Sequence, residues 1–292
     1  MRRDFLLSQL YAFSTVLLWS SAYVFTKVAL LHFSFSSLAF LRCAIASLCL
    51  AGVLIIKRGP FPGIAALPRF IAAGAAGFAL YILAFNKGSA LLNPTTSCIL
   101  ISTSPIITAL LAQKSFGEKL SRRQWIAIGT AFCGILVMTL RGGVPVISEG
   151  ILWMLAAAFL ISMYNVLQRS LARSYDALAI TSYSFFAGTL LLAPFIPEAA
   201  GEISSASLAQ AGLVCFLGAC PSAAAYLLWA KALTLAPKTG NVTNYMFLSP
   251  FLSLLLEYIV TGQLPDMGTF VGGGIIIAGL ALFTPAGKKA AP

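Results

Sequence analysis

Two Ser-Pro pairs occupy matching positions in the chain and carry its most specific chemical signal. Ser104-Pro105 and Ser249-Pro250 lie 145 residues apart, each inside a long apolar segment. A proline in a helix removes one backbone hydrogen bond and frees the carbonyl four residues before it. Within a bilayer such a carbonyl must face protein or a water-filled cavity, because lipid offers no donor. We therefore predict that Pro105 and Pro250 kink their helices beside a cavity, the alternative being kinks that serve packing alone.

Aromatic and polar side chains recur near the middle of the apolar segments. Aromatic belts at a membrane surface place such rings at helix ends, so central rings favour a cavity instead. Hydroxyl and amide groups at this depth need hydrogen-bond partners, and a neighbouring helix is the alternative source of them. The candidate solute-binding residues are Trp19, Tyr23, Tyr81, Phe85, Ser97, Thr103, Ser104, Tyr164, Asn165, Tyr226, Trp229, Asn244, Tyr245 and Ser249.

Few charged residues fall inside the apolar segments, where a charge is costly. Arg42, Lys87 and Glu257 lie toward the predicted outer ends of their segments. We expect them either to extend their charged groups to the membrane surface or to rim an outer vestibule. Glu257 is the only carboxylate inside a predicted span, so it is also the candidate for proton coupling.

No residue pattern predicts a metal site, a cofactor or a catalytic centre. His32 is the only histidine, and the six cysteines are scattered without a Cys-x-x-Cys pair, which argues against zinc sites and disulfide frameworks. An enzyme working inside the membrane needs groups such as paired aspartates or Ser with His at membrane depth. We therefore predict a protein that is not an enzyme and that uses no cofactor.

The composition places the chain in a membrane. Of its 292 residues, 59% are apolar and 9% are charged, whereas soluble domains carry about 25% charged residues. At ~20 residues for each transmembrane helix, the length allows about ten spans and no sizeable soluble domain. Continuous apolar runs predict helices at 8–31, 36–56, 69–90, 94–116, 123–141, 150–171, 176–197, 208–235, 239–261 and 267–285.

Basic residues orient these spans. With the N-terminus in the cytoplasm, fourteen Lys and Arg residues lie in tails and loops on that side and one, Arg141, lies on the other. Because cytoplasmic loops are enriched in Lys and Arg, we predict that both termini are cytoplasmic. The net charge of +11 then reflects topology and contact with anionic lipid, and we expect no nucleic-acid partner.

The chain consists of two related halves. A shift of 145 residues aligns Tyr81 with Tyr226 and the first Ser-Pro pair with the second, without gaps from the third span to the tenth. We place the first five-helix repeat at residues 1–145 and the second at 146–292, within one membrane domain. Because five is odd, the second repeat enters the membrane from the opposite side. Such inverted-topology repeats are typical of secondary transporters, whose solute site lies between the repeats.

Local motifs resemble the EamA-type branch of the drug/metabolite transporter superfamily. These motifs are Trp19-Ser20-Ser21 in the first span and Glu118-x-Leu120 followed by Gln124, Gly129 and Gly134 at the fifth. The second half departs from the family pattern, because Gln263 stands at the position of Glu118. The resemblance covers nearly the whole chain. It implies a central cavity lined by spans 1, 3, 4, 6, 8 and 9, with spans 5 and 10 at the periphery.

The resemblance also implies export of amino acids and related small metabolites across the inner membrane by alternating access. An aromatic, nearly uncharged cavity suits neutral or zwitterionic solutes, aromatic and hydrophobic amino acids included. Nucleotide-sugar, sugar-phosphate and drug transporters share this fold, so the fold alone does not name the solute. A channel or a non-transporting membrane subunit is a further alternative. The expected partners are a small solute and the lipid bilayer, and the oligomeric state stays open.

Overall fold

The described residues form a helical bundle with ten main helical segments. A computed structural model describes residues 2–59, 61–117, 119–141, 144–145, 148–236, 242 and 244–283. We number the ten segments as spans in chain order. They are span 1 Arg2–Ala29, span 2 Phe35–Ile56, span 3 Ile64–Leu91, span 4 Pro94–Phe116, span 5 Arg122–Thr139, span 6 Glu149–Leu171, span 7 Ala177–Leu191, span 8 Leu208–Leu235, span 9 Asn244–Thr261 and span 10 Met267–Phe283. Each predicted span overlaps one of these segments, so the prediction of ten helices is confirmed.

Most of the spans have the length and composition of membrane helices. Seven are long and apolar enough to cross a bilayer, and span 7 with the helical segment Ala193–Ser205 forms an eighth unit that is bent by 53°. Span 5 begins with Arg122 and Arg123, and span 10 is apolar but shorter. Spans 5 and 6 are joined by a short antiparallel pair of two-residue strands, Leu140–Arg141 and Val144–Pro145.

The outer surface of the bundle is apolar. Large hydrophobic side chains from many spans are more than half exposed, which in water is costly and in lipid is expected. Examples from five different spans are Leu48, Ile55, Leu80, Phe132, Leu152 and Leu190. This distribution agrees with a protein whose solvent is the hydrocarbon of a membrane.

The two halves share unusual backbone features at the same 145-residue offset. A π-helical turn interrupts span 3 at Ala75–Ala79, and another interrupts span 8 at Cys220–Ala224. Spans 4 and 9 both end at a glycine in the left-handed region, Gly117 at φ 70° and Gly262 at φ 68°. Only glycine adopts that conformation without strain. The repeat seen in the sequence therefore extends to the backbone.

Spans 5 and 10 pack directly on each other through small residues. A Cβ on Gly134 would lie 2.6 Å from the carbonyl oxygen of Gly272, and a Cβ on Gly279 would lie 3.0 Å from the carbonyl oxygen of Ala127. These two contacts exchange under the 145-residue shift, as expected for two repeats related by a two-fold axis. Small residues let helices approach closely in a membrane.

Polar contacts gather at the end of the bundle where spans 1 and 2 are joined, which we call the loop 1–2 end. The helical segment Ile196–Ser205 lies across this joint. Glu202 accepts a hydrogen bond from the backbone N–H of Ser34 at 3.0 Å, and Glu198 accepts one from the Ser36 hydroxyl at 2.9 Å. These bonds hold the bent continuation of span 7 against the start of span 2.

Candidate functional site

Both Ser-Pro pairs interrupt their helices. In span 4 the helix Pro94–Ile101 ends before a new helix starts at Ser104, and in span 9 the 3₁₀ helix Asn244–Leu248 precedes the α-helix that starts at Ser249. Pro105 and Pro250 each occupy the first turn of the second helix, where a missing N–H costs least. Pro250 is buried, whereas Pro105 is exposed.

Hydroxyl groups from two equivalent spans bind the backbone at these breaks. The Ser162 hydroxyl of span 6 donates to the Ser104 carbonyl at 2.9 Å, and the Ser20 hydroxyl of span 1 donates to the Ser249 carbonyl at 3.3 Å. Within the described chain, no side-chain donor reaches the carbonyls four residues before the prolines, which the sequence predicted to be freed. The carbonyls that accept side-chain hydrogen bonds are instead those of Ser104 and Ser249. Each helix break is therefore hydrogen-bonded to one neighbouring span.

A first group of aromatic rings joins the two repeats. Trp19 of span 1 lies 5.6 Å from Tyr226 and 5.3 Å from Trp229 of span 8, measured between ring centroids. Phe78 of span 3 lies 5.8 Å from Tyr226 and 5.0 Å from Tyr164 of span 6. Most of these contacts are edge-on, the geometry that aromatic pairs prefer. The structure thus brings together predicted rings from spans 1, 6 and 8.

A second group of rings lies against the first. Phe85 of span 3 is 5.4 Å from Tyr23 of span 1 and 5.8 Å from Tyr81 one helical turn earlier. Tyr81 also packs against the apolar cluster that contains Phe78 and Tyr164. All seven predicted rings of spans 1, 3, 6 and 8 therefore belong to one aromatic region between the repeats, which we call the aromatic cluster.

Several other predicted site residues are placed differently. Ser97 and Thr103 donate to carbonyls of their own helix, Asn93 at 3.0 Å and Leu100 at 2.7 Å. Short hydroxyl side chains in helices form such local bonds readily. Asn165 donates to the Thr108 hydroxyl at 3.3 Å and so joins span 6 to span 4.

The predicted residues at the start of span 9 lie at its exposed end. Asn244 is exposed, and the Tyr245 ring lies 6.5 Å from Phe13 of span 1. Tyr245 also packs with Trp229 against a small apolar cluster. It therefore borders the aromatic cluster from the end of the bundle opposite to loop 1–2.

The three charges that the sequence placed near an outer rim differ from one another. Lys87 is partly exposed, and its Nζ lies 3.8 Å from the Glu149 carboxylate. Arg42 and Glu257 are instead buried, with 6% and 2% of their surface exposed. The position of a charged residue along its span therefore did not predict whether it is buried.

Glu257 caps the start of a helix in the other repeat. Its Oε2 accepts the backbone N–H of Thr95 at 2.8 Å and also the Thr95 hydroxyl. Thr95 lies in the first turn of the helix Pro94–Ile101, where backbone N–H groups lack partners and a negative charge is stabilised. Glu257 therefore ties span 9 to span 4 at the loop 1–2 end.

The hydrogen bonds divide the central spans into two groups. Spans 3, 4 and 6 form the 3-4-6 group. Ser162 and Asn165 of span 6 bind span 4, and the ion pair between Lys87 and Glu149 joins span 3 to span 6. Spans 1, 8 and 9 form the 1-8-9 group, joined through Ser20 to span 9 and through the Thr15 hydroxyl to the Ala225 carbonyl of span 8 at 3.3 Å. Each group contains spans from both repeats.

Direct hydrogen bonds between these groups lie at the loop 1–2 end. One set is the Glu257 carboxylate with Thr95, and the other is the Lys27 Nζ donating to the Ala90 carbonyl at 2.7 Å. We call these bonds the latch. Across the part of the chain that the structure describes, no side-chain hydrogen bond joins the two groups at the opposite end. The bundle is thus held closed at the loop 1–2 end.

Some residues of this region escaped prediction. Phe185 of span 7 stacks on Phe78 at 3.7 Å, but neither ring differs in the sequence from an ordinary apolar residue of a span. Thr26, Asn86 and Ser222 surround the Arg42 guanidinium. Asn86 follows Phe85 directly, and an amide inside an apolar segment was a usable signal for it.

The described residues contain no group of three His, Cys, Asp or Glu side chains that could hold a metal ion. Arg42 and Glu257 are the charged residues that are buried among them, and they lie on different spans with different partners. The arrangement offers aromatic surfaces, hydroxyl groups and one buried cation, which are groups that can bind a small solute.

Comparisons with known proteins identify the family of the chain. The chain matches the EamA-like transporter family twice, over residues 6–140 and 148–284. A protein of Streptantibioticus cattleyicolor named "probable terminal-alkyne amino-acid exporter" is 29% identical over 92% of this chain and 90% of its own length. The uncharacterized transporter YdfC of Bacillus subtilis is 25% identical over 90% of this chain and 86% of its own.

Two further comparisons are more distant. An S-adenosylmethionine uptake transporter of Rickettsia conorii is 25% identical over 68% of this chain and 65% of its own length. A solved crystal structure superposes with a TM-score of 0.62 at 19% identity, covering 95% of this chain and 96% of the other, which shows a shared fold. The relatives are named as transporters and not as enzymes. Because both halves match, the chain belongs to the EamA-like transporter family of the drug/metabolite transporter superfamily, and it is a multi-pass membrane transporter of small molecules.

Proposed function

We propose that this transporter exports amino acids, aromatic and hydrophobic ones included, by alternating access. The observation that carries the proposal is the aromatic cluster, in which rings from both repeats meet. Aromatic surfaces favour a bulky apolar side chain, and the nearby hydroxyl groups can orient a polar head. The exporter from Streptantibioticus cattleyicolor, whose name includes an amino acid, supports the same solute class.

The charge of the core favours small solutes over phosphate-bearing ones. Arg42 is the only buried Lys or Arg of the described residues. Nucleotide sugars and sugar phosphates carry two or more negative charges, and phosphate groups are held in proteins by several cations or bidentate arginines. A single cation beside aromatic rings suits a zwitterion better, which leaves the phosphate-bearing solutes as the weaker alternative.

We propose the inner membrane as the location, with both termini in the cytoplasm and with the repeats joined at residue 145. The fourteen-to-one distribution of Lys and Arg supports this orientation. The loop 1–2 end then faces the periplasm, and the closed latch corresponds to an inward-facing state. Labelling a cysteine introduced at Phe61 from either side of sealed vesicles tests the orientation. We expect modification from the cytoplasmic side, and modification from the periplasmic side would reverse the proposed direction of export.

Flux measurements on proteoliposomes test the proposed function. We expect saturable counterflow of L-phenylalanine or L-leucine into vesicles loaded with the same amino acid. Replacing Tyr81 or Trp229 with Ala removes ring contacts worth about 0.5–1.5 kcal/mol each and should lower solute affinity roughly 2- to 12-fold. Trp125→Ala provides the matched control, because Trp125 is a half-exposed ring of span 5 outside the cluster.

Three results would contradict the proposal. Absence of saturable counterflow with every amino acid tried removes amino acids as the solute. Flux that rises without saturation identifies a channel. Unchanged flux in both Tyr81→Ala and Trp229→Ala would assign the aromatic cluster to packing alone.

A further inference from the structure

Arg42 is a buried cation whose hydrogen-bonding capacity is only partly used. Its Nη1 donates to the Thr26 hydroxyl at 3.0 Å and to the Asn86 side-chain oxygen at 3.4 Å, and its Nη2 reaches the Ser222 hydroxyl at 3.5 Å. The Nε atom is buried without a hydrogen-bond partner. A guanidinium offers five N–H donors, so the edge formed by Nε and Nη2 holds only one long contact.

The described residues provide no counter-ion for this charge. Lys87 with Glu149 is the ion pair found within 4 Å among them, and five of the other described carboxylates bind backbone or hydroxyl groups elsewhere. Those five are Asp176, Glu198, Glu202, Glu257 and Asp266. An arginine does not lose its proton in a protein, and a buried charge without a partner is strongly unfavourable. An anion that is not part of the chain would therefore be stabilised by the charge of Arg42.

The shape of the free edge selects the kind of anion. The parallel N–H groups of Nε and Nη2 match the two oxygens of a carboxylate, which binds such a fork through two hydrogen bonds. Because the Ser222 hydroxyl donates to the Leu217 carbonyl at 2.8 Å, the serine keeps a partner when a carboxylate displaces it from Arg42. The Nη1 bonds to Thr26 and Asn86 stay in place and hold the guanidinium.

The guanidinium borders the aromatic cluster. Its Cζ lies 5.8 Å from the centre of the Phe85 ring, and Phe85 contacts both Tyr23 and Tyr81. Ser222 lies in the π-helical turn of span 8, and π turns inside α-helices are frequent at functional sites. The partners of Arg42 come from spans 1, 3 and 8, so both the 3-4-6 group and the 1-8-9 group contribute.

We propose that Arg42 is the anchor for the carboxylate of the transported solute, and that the aromatic cluster receives the apolar part of the same molecule. The ligand class is a monocarboxylate with an apolar or aromatic side chain, amino acids included. The identity of the solute as cargo rests on the proposed function, but the binding of a carboxylate at Arg42 does not. Inorganic anions share the negative charge and lack the apolar part.

Binding to the purified full-length protein in detergent tests the proposal with two matched pairs of probes. One pair is 3-phenylpropanoate and 3-phenylpropanamide, and the other is L-phenylalanine and L-phenylalaninamide. Trp19 and Trp229 lie in the cluster, so their fluorescence, together with the melting temperature, reports occupancy. We expect each acid to bind roughly 10- to 100-fold more tightly than its amide, the effect of a hydrogen bond to a charged group.

Variants then assign that preference to Arg42. Arg42→Gln should remove the difference between acid and amide, whereas Arg42→Lys should keep part of it, because it retains the charge and loses the fork. Lys231→Gln is the control, since Lys231 is a cation within span 8 that lies over the Tyr11 ring. It should leave the preference unchanged.

Defined outcomes overturn the proposal. Equal binding of acid and amide to the wild-type protein does so even if no variant folds. An acid preference that survives in Arg42→Gln assigns Arg42 to structure alone. Chloride or phosphate that raises the melting temperature as much as the carboxylates identifies an inorganic-anion site instead. Amino-acid flux with equal binding of acid and amide refutes only the role of Arg42, while carboxylate binding without any amino-acid flux refutes only the proposed function.

Discussion

The two ends of the contact between the 3-4-6 group and the 1-8-9 group are built from different chemistry. At the loop 1–2 end, the latch joins the groups through a buried carboxylate and an amine, each with a backbone partner. At the opposite end, span 9 begins with the 3₁₀ helix Asn244–Leu248, in which Met246 and Leu248 are exposed. The loop 1–2 end is thus joined by polar contacts, whereas the described residues of the opposite end join the two groups through no side-chain hydrogen bond.

The repeat symmetry allows the latch at the loop 1–2 end to be compared with the equivalent positions at the opposite end. In a transporter built from inverted repeats, the two repeats exchange conformations when the protein changes state. A contact that closes one end in the first state should then have an equivalent, at the shifted positions, that closes the other end in the second state. The positions that correspond to Lys27 and Glu257 under the 145-residue shift are Ala172 and Ala112. Neither alanine can form an ion pair or a side-chain hydrogen bond. The latch therefore has no equivalent at these two positions of the opposite end, so the two closed states are held by different contacts.

Locking the latch should have the largest effect of any change. With the six native cysteines replaced by alanine or serine, we expect a short bis-methanethiosulfonate reagent, which forms a disulfide with each thiol, to link Thr95→Cys with Glu257→Cys and to abolish counterflow. The reason is that the link prevents the two groups from separating at the loop 1–2 end. Release of the link by a reductant should restore the flux.

A second cysteine pair serves as the control for that experiment. Thr108→Cys with Asn165→Cys lies entirely within the 3-4-6 group, where the native side chains are hydrogen-bonded. Linking it should leave the flux unchanged, because the group moves as one body. Flux that persists in the linked latch pair, or that stops equally in both pairs, contradicts the division into two moving groups.

Weakening the latch should shift the balance between states without blocking transport. In Glu257→Gln the carboxylate that accepts two bonds from Thr95 becomes a neutral amide. Hydrogen bonds to charged groups contribute about 1.5–3 kcal/mol, so the open state at this end should gain population roughly 10- to 100-fold. The buried Cys98 thiol of span 4 should then react faster with an impermeant reagent added from the loop 1–2 side.

The control for this shift is a polar contact at the same end that stays within one group. Lys87→Gln breaks the ion pair with Glu149, which joins spans 3 and 6. It should not change the reactivity of Cys98. Equal acceleration by Lys87→Gln and Glu257→Gln refutes the assignment of the latch, because it would mean that any charge lost at this end loosens the bundle.

The architecture could be predicted from the sequence because a helix that crosses a bilayer needs a long run of apolar residues, and such runs are visible in the sequence. Continuous apolar runs fix the spans, and the repeated Ser-Pro pairs predict breaks that the structure places at Ser104 and Ser249. The bulky rings near the span centres also proved to be neighbours, since the middle of one span faces the middle of the next.

The sequence did not predict which face of each helix points into the bundle. Arg42 and Lys87 both lie within two helical turns of an end of their spans, yet Arg42 is buried and Lys87 is partly exposed. The difference depends on which neighbour each helix face meets, and continuous apolar runs have too weak a periodicity to show it. Ser97 and Thr103 show a second limit, because a hydroxyl in a helix can bond to its own backbone and so need no solute.

The smallest effects should come from the two prolines, and they should be unequal. Pro250 follows the 3₁₀ helix at the end opposite to the latch, whereas Pro105 follows a helix that the latch already holds. Pro250→Ala restores a backbone donor and lets the α-helix of span 9 extend back toward Asn244. That extension stiffens the segment that must rearrange when the end opposite to the latch closes, so turnover should fall a few-fold with little change in solute affinity.

Pro105→Ala restores the same donor in span 4 and is the matched comparison. The helix Pro94–Ile101 before it is already α-helical and is capped by Asn93 and Glu257, so we expect turnover close to that of the wild type. The maximal rate and the half-saturating concentration from counterflow separate turnover from affinity in both variants. Equal loss of turnover in the two variants would show that the breaks act symmetrically. The functional difference between the ends would then reside in the latch alone.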